Sequence, residues 1–275
     1  MRQDFGRAAA SYDAAAVLAR ETGARMAQRL DLVRLVPRRL ADLGCATGDG
    51  LRQLQQRYPS ALPLAIDYAL PMLAAVRGRV SWRQRLLRRT PLLINADARS
   101  LPLMTASLDL VWSNLVLHWL DDPLPALREI HRALEVGGLL MFSMLGPDTL
   151  KELRAASVVA GLPCTLRRFA DMHDIGDMLV AAGFADPVVD MEMLTLTYAT
   201  ARVLLADQRQ LGVRDGLLGS MGWRQWRRVF AAYEQQRCEE RLPVSFEIIY
   251  GLAWKPPPAK SADGRAIIRF EPRRV

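Results

Sequence analysis

Between residues 39 and 145 short apolar runs alternate with amphipathic stretches, and most of the runs close on a polar or glycine-rich turn. Arg39-Leu40-Ala41-Asp42-Leu43, Leu62-Pro63-Leu64-Ala65-Ile66, Leu92-Leu93-Ile94-Asn95-Ala96, Ser107 to Asn114 and Leu139 to Met144 read as five strands. Helices are expected from Asp49 through Gln56, from Met72 onward, and from Asp122-Pro123, where an acid cap precedes a proline at the first helical position. In the last of these Leu127, Ile130 and Leu134 form the buried stripe, and Gly137-Gly138 is the expected stop. Strands and helices in strict alternation predict a parallel, right-handed, doubly wound α/β sheet.

The flanks extend this pattern. Residues 7 to 36 are alanine-rich, with Met26, Leu30 and Val33 spaced as one helix face and Pro37 as its stop. Thr149-Leu150-Lys151-Glu152 has the capping-box pattern, and Asp174 to Phe184 is a helix with a glycine stop. Val188 to Tyr198 and Val244 to Tyr250 read as two further strands, which brings the sheet to seven. The roughly 45 residues between them are mainly helical, and Trp223, Trp226, Phe230 and Tyr233 share a face expected to be core. We therefore divide the chain into a lid and helix at 1–36, a main domain at 37–255 with a helical cap at about 199–243, and a disordered tail at 256–275.

Composition narrows the class. A length of 275 residues, 51% of them hydrophobic, can build a large single core. With no apolar run of about 18 residues and no signal-like start, the expectation is a soluble cytoplasmic protein without a membrane role. Three scattered cysteines and three dispersed histidines have no metal-ligand spacing, so no metal is expected. The net charge of +8 rests on arginine, and Arg77, Arg79, Arg83, Arg85, Arg88 and Arg89 fall in one acid-free stretch. Such a face suits an acidic partner; no recognised nucleic-acid-binding motif accompanies it, so nucleic acid is not expected, and an acidic carrier protein is another candidate.

The chemistry centres on Asp42-Leu43-Gly44-Cys45-Ala46-Thr47-Gly48, a glycine-rich turn between a strand and a helix. Glycines there let a ligand approach the backbone, while Asp42 disfavours a pyrophosphate and favours a cationic ligand. Asp67 follows Gly48 by 19 residues at a strand end, the place from which a parallel sheet offers a carboxylate to ribose hydroxyls. A third acid, Asp97, closes the next strand.

This pattern resembles the class I S-adenosylmethionine-dependent methyltransferases, whose first motif is D-x-G-C-G-T-G; Ala46 replaces the middle glycine. Phe5 to Asp13, Trp112 to Trp119, Gly146 to Arg154 and Tyr250 to Lys255 together resemble the bacterial malonyl-acyl-carrier-protein O-methyltransferases of biotin synthesis, over nearly all of residues 5 to 255. The resemblance implies a Rossmann-like fold, S-adenosylmethionine as methyl donor and the free carboxylate of malonyl-acyl-carrier protein as acceptor. It places Asp42, Gly44, Cys45 and Gly48 at the methionine portion and Asp67 at the ribose, with Tyr68 and Met72 also binding the cofactor. Asp97 and Ala98 fall at the adenine, and Asn114 and Leu115 near the sulfonium. Tyr12 and His118 are the acceptor-side candidates, and the arginines at 77 to 89 a docking face. Part of the same pattern also resembles a mitochondrial assembly factor that hydroxylates arginine, and a non-catalytic scaffold is a third reading.

Overall fold

The computed structural model describes residues 2–82, 86 and 90–258. Three helices lead the chain: α1 (Arg2–Ala8), α2 (Tyr12–Ala15) and α3 (Val17–Arg29). The alternating region follows as β1 (Arg39–Leu43), α4 (Asp49–Arg57), β2 (Leu62–Asp67), α5 (Leu70–Arg79), β3 (Leu92–Asn95), β4 (Leu108–Asn114), α6 (Leu124–Ala133) and β5 (Leu134–Leu145). The rest comprises α7 (Lys151–Val159), α8 (Met172–Ala181), β6 (Ala185–Tyr198), α9 (Ala201–Gln210), α10 (Arg214–Leu218), α11 (Trp223–Glu234) and β7 (Leu242–Trp254).

All seven strands join one sheet in the order β3-β2-β1-β4-β5-β7-β6. The first five are parallel, and β7 inserts antiparallel between β5 and β6. Central strands are apolar on consecutive residues because both faces are covered. Leu40, Leu110, Trp112, Leu139 and Met141 face one core, while Ala41, Val111, Leu140 and Phe142 face another with Leu127, Ile130, Ile175 and Leu179. Strand order reverses between β1 and β4, so a crevice opens beyond their carboxyl ends.

Four sequence expectations need correction. The helix expected over 7–36 is three helices, and α3 passes into a short 3₁₀ turn, Leu30–Leu32, well before Pro37. The Leu30 carbonyl accepts the Val33 amide at 3.1 Å and the Arg57 guanidinium at 2.9 Å, and Leu32 and Val36 lie on the surface. Leu134 ends no helix; it begins β5, and Gly137-Gly138 lie where the β4–β5 register shifts, so that Leu108 pairs with Leu134 but Leu110 with Leu139. The capping box at Thr149 and Glu152 does not form. Thr149 Oγ1 accepts from the Glu247 amide at 3.2 Å and the Glu152 carboxylate takes the Ser245 amide at 2.9 Å, so both side chains fasten α7 to β7 instead. Finally, Trp223 is exposed, whereas Trp226 stacks on Phe230 and Tyr233 is buried.

Candidate active site

The turn after β1 is built by backbone and one acid. Gly44, at φ +73°, donates to the Ile66 carbonyl at 2.8 Å, and a Cβ there would stand 2.2 Å from Val116 Cγ2. Only glycine fits both demands. Ala46 also has positive φ, +45°, and its amide donates to Asp67 Oδ2 at 2.9 Å; Asp67 Oδ1 accepts from the Ala69 amide at 2.7 Å. Burial raises the Asp67 carboxyl above its usual range, and these two amides oppose that rise.

A cavity of about 360 Å³ opens above this turn. Gly44, Asp67, Tyr68, Met72, Asp97, Ala98, Asn114 and Leu115 line it, as do Tyr12 and His118. A smaller recess of about 40 Å³ adjoins it, lined by Asp42, Cys45 and Trp112 with Tyr12 and Gly44. In that recess Asp42 Oδ2 and Trp112 Nε1 are buried without a partner among the described residues, and both lie 3.0 Å from where a side chain at Gly50 would start. Burial first, then the Asp67 and Asp49 charges, push the Asp42 carboxyl up to about 7. An unpaired carboxylate oxygen and an unpaired indole N–H beside a side-chain-free backbone fit a ligand that carries both a cationic amine and a hydrogen-bond acceptor. Gly48 lines neither cavity: at φ +91° it turns the chain into α4.

Other candidates are held by neighbours. Arg99 grips Asp97 through both carboxylate oxygens, at 3.0 and 2.7 Å, and holds that carboxyl below its ordinary value. The Asn114 side chain accepts from Thr22 and Ser143 hydroxyls at 2.8 and 2.7 Å and donates to the Ala19 carbonyl at 2.8 Å, which anchors α3 to the end of β4. His118 Nδ1 accepts from the Leu145 amide at 3.3 Å, so Nε2 carries the proton. Burial, helped by the Arg167 charge, drives His118 down to about 3 and keeps it neutral. Burial, with Asp67, Asp49 and Asp42 nearby, raises the Tyr12 hydroxyl above its usual range, so it stays a donor. Among the described residues no group of three His, Cys, Asp or Glu side chains is placed to hold a metal.

A family model for a methyltransferase domain matches residues 41–142, which span the glycine turn, the acids and β4. The malonyl-acyl-carrier-protein O-methyltransferase of Gallionella capsiferriformans is 49% identical over 98% of this chain and 94% of its own. The enzyme of the same name from Laribacter hongkongensis is 47% identical over 99% and 95%. The chain belongs to this family of methyltransferases. Solved structures agree on the fold. A methyltransferase from Bacillus halodurans superposes with a TM-score of 0.61 at 14% identity, over 86% of this chain and all of the other. Phosphoethanolamine N-methyltransferase 2 of Haemonchus contortus, solved with S-adenosyl-L-methionine, gives 0.52 at 17% identity, over 86% of this chain and 53% of its own. The protein is thus an enzyme with the S-adenosylmethionine-dependent methyltransferase fold, and neither the hydroxylase nor the scaffold reading is favoured.

Two features of this methyltransferase escape a linear reading. Asp13, Thr47, Asp49 and Arg79 form a polar latch: Thr47 Oγ1 donates to Asp13 at 2.6 Å, while Arg79 pairs with Asp13 and with Asp49 at 3.2 Å. Arg79 is the residue read above as part of a docking face. The far cavity wall comes from Leu196, Tyr198, Gln208, Leu211, Val213, Leu217 and Phe246, on segments 50 to 100 residues beyond β5. No local signal marks Gln208, which reads as one more polar residue of an amphipathic helix.

Proposed function

We propose that this methyltransferase transfers the methyl group of S-adenosylmethionine to the free carboxylate of a malonyl thioester on acyl-carrier protein, giving the methyl ester that starts pimeloyl synthesis for biotin. One observation carries the reading: a single cavity brings the acids Asp67 and Asp97 together with two neutral hydrogen-bond donors, Tyr12 and His118. Relatives matched over nearly the whole chain carry this acceptor in their names.

When bound, S-adenosylmethionine supplies a methyl group on a sulfonium, which a carboxylate can take without a proton transfer. Asp42 and the backbone from Gly44, with Cys45 behind it, would hold the methionine portion, and Asp67, Tyr68 and Met72 the ribose side. Asp97 and Ala98 would border the adenine, and Asn114 and Leu115 the reacting end. An acceptor carboxyl with a pKa near ~4 is already ionised at neutral pH, so neither Tyr12 nor His118 is needed as a base. Their part is to align the acceptor while α1 and α2 exclude water. Phe5 of α1 meets Trp119 edge-on at 5.9 Å, and Gly6 packs on Pro71, so the lid spans the cleft.

Docking of the carrier falls to Arg77, which is exposed in the last turn of α5; Arg79 is engaged in the latch, and Arg83, Arg85, Arg88 and Arg89 lie outside the described residues. The cytoplasm suits three free cysteines, and no described helix is long and apolar enough to cross a membrane. The test is mass spectrometry of malonyl carrier protein incubated with the enzyme and S-adenosylmethionine. A gain of one methyl group, removable by ester hydrolysis, is expected; no gain despite cofactor binding would overturn the acceptor.

A further inference from the structure

The cavity end beneath the helical insertion has an apolar wall of Leu145, Leu196, Leu211, Val213, Leu217 and Phe246. Gln208, near the end of α9, interrupts it. The residue lines the cavity and is only 3% exposed, and among the described residues no side-chain hydrogen bond engages its amide. Gln208 is thus nearly buried yet lines the cavity, which points to an occupant there that pairs with its amide. Tyr198, beside it on the same wall, already has the Asp207 carboxylate within reach of its hydroxyl.

The surroundings limit what that occupant can be. Tyr12 faces the same cavity from α2, and Ser11 Oγ donates to the Gln210 carbonyl at 3.1 Å, which ties the start of α2 to the end of α9. His118 adds an Nε2–H with no acceptor among the described residues. The two arginines that line the cavity stand on the side of β2 and β3: Arg99 is paired with Asp97, and Arg2 lies over the Tyr68 ring and reaches Asn95. Arg167, close to His118, is paired with Asp121. Among the described residues the Gln208 end therefore offers several neutral donors and no lining cation.

We propose that Gln208 is a specificity-determining contact for the acceptor, its amide NH₂ binding the terminal carboxylate alongside the Tyr12 hydroxyl and His118 Nε2–H. The inference rests on the carboxyl acceptor assigned above. A guanidinium would engage both carboxylate oxygens in a fork, whereas an amide leaves one oxygen free to react. A thioester ending in a methyl group leaves Gln208 unpaired and is rejected for that reason.

The test uses the full chain with malonyl-pantetheine as acceptor and butyryl-pantetheine as competitor. Gln208→Met keeps the shape and removes the donors; it should raise KM for malonyl-pantetheine at least about tenfold and let the butyryl thioester compete. Gln208→Glu, which sets a like charge against the acceptor, should lose at least as much. Calorimetric affinity for S-adenosylmethionine should stay within about twofold in both. An unchanged KM in Gln208→Met, or a loss of cofactor affinity matching the loss of activity, would overturn the role of Gln208 alone. Absence of methyl ester with the unaltered enzyme would instead remove the acceptor reading on which it rests.

Discussion

Arg79 at the end of α5 pairs with Asp13 in the lid, and the same guanidinium donates to the Thr47 carbonyl at 2.8 Å. One side chain thus joins the N-terminal cover to the turn beneath it. Both members of the pair are about a third or more exposed, so salt screens it, yet the link to Asp49 and Thr47 makes it a network rather than an isolated pair.

Arg79→Ala should loosen the cover and weaken S-adenosylmethionine binding by about three- to tenfold at low salt, with a smaller effect at high salt. Calorimetry at two ionic strengths measures this. The loss should be the same for carrier-bound and free thioester, whereas Arg77→Glu should affect the carrier-bound substrate alone.

Gly44→Ala places a methyl group 2.2 Å from Val116 Cγ2 at a left-handed φ. It should cost roughly 2 kcal/mol or more in urea unfolding and abolish measurable cofactor binding. Val116→Ala in the same chain should return part of the stability, because the clash is with that side chain; strict additivity of the two changes would count against the contact.

Asp42 has a carboxyl near 7 in the folded chain, against an ordinary value near ~3.9 when unfolded. Between those values the folded state holds a proton that the unfolded chain has released. Stability from this group is therefore complete below about pH 4, falls as pH rises to about 7, and stays low above it. Asp42→Asn should match the parent at pH 4 and exceed it by roughly 2–4 kcal/mol at pH 8, while losing cofactor affinity. Thermal midpoints across pH 4 to 8 check the sign.

Ala46 occupies the left-handed region at φ +45°. Ala46→Gly relieves that strain without touching the Asp67 hydrogen bond, which runs to the backbone amide, and should stabilise the protein by about 0.5–1 kcal/mol in denaturant titration. Unchanged or lower stability would mean that the extra freedom of glycine in the unfolded chain outweighs the strain.

Much of this was written along the chain. The alternation of apolar runs and amphipathic stretches determined a doubly wound sheet, because strands covered on both faces must be apolar at every position. Asp42, Gly44 and Asp67 stood out in sequence because a parallel sheet gathers successive strand ends on one edge, so chemistry at those ends is close in space. Signals that depend on a partner were not legible. Thr149 and Glu152 spell a local cap, but β7 offers Glu247 and Ser245 to the same groups, and tertiary hydrogen bonds displaced the local one. Leu134 continues a helical stripe by spacing, yet pairing with Leu108 drew it into β5. Arg79 looked like a free surface charge until the fold carried Asp13 to it, and Gln208 looked like one polar residue of an amphipathic helix until that helix closed over the cavity. Order along the chain fixed which elements form and which edge of the sheet carries the site. Only packing between segments far apart in sequence decided which polar side chains remain free to meet a ligand, since each one's partner is supplied by another element.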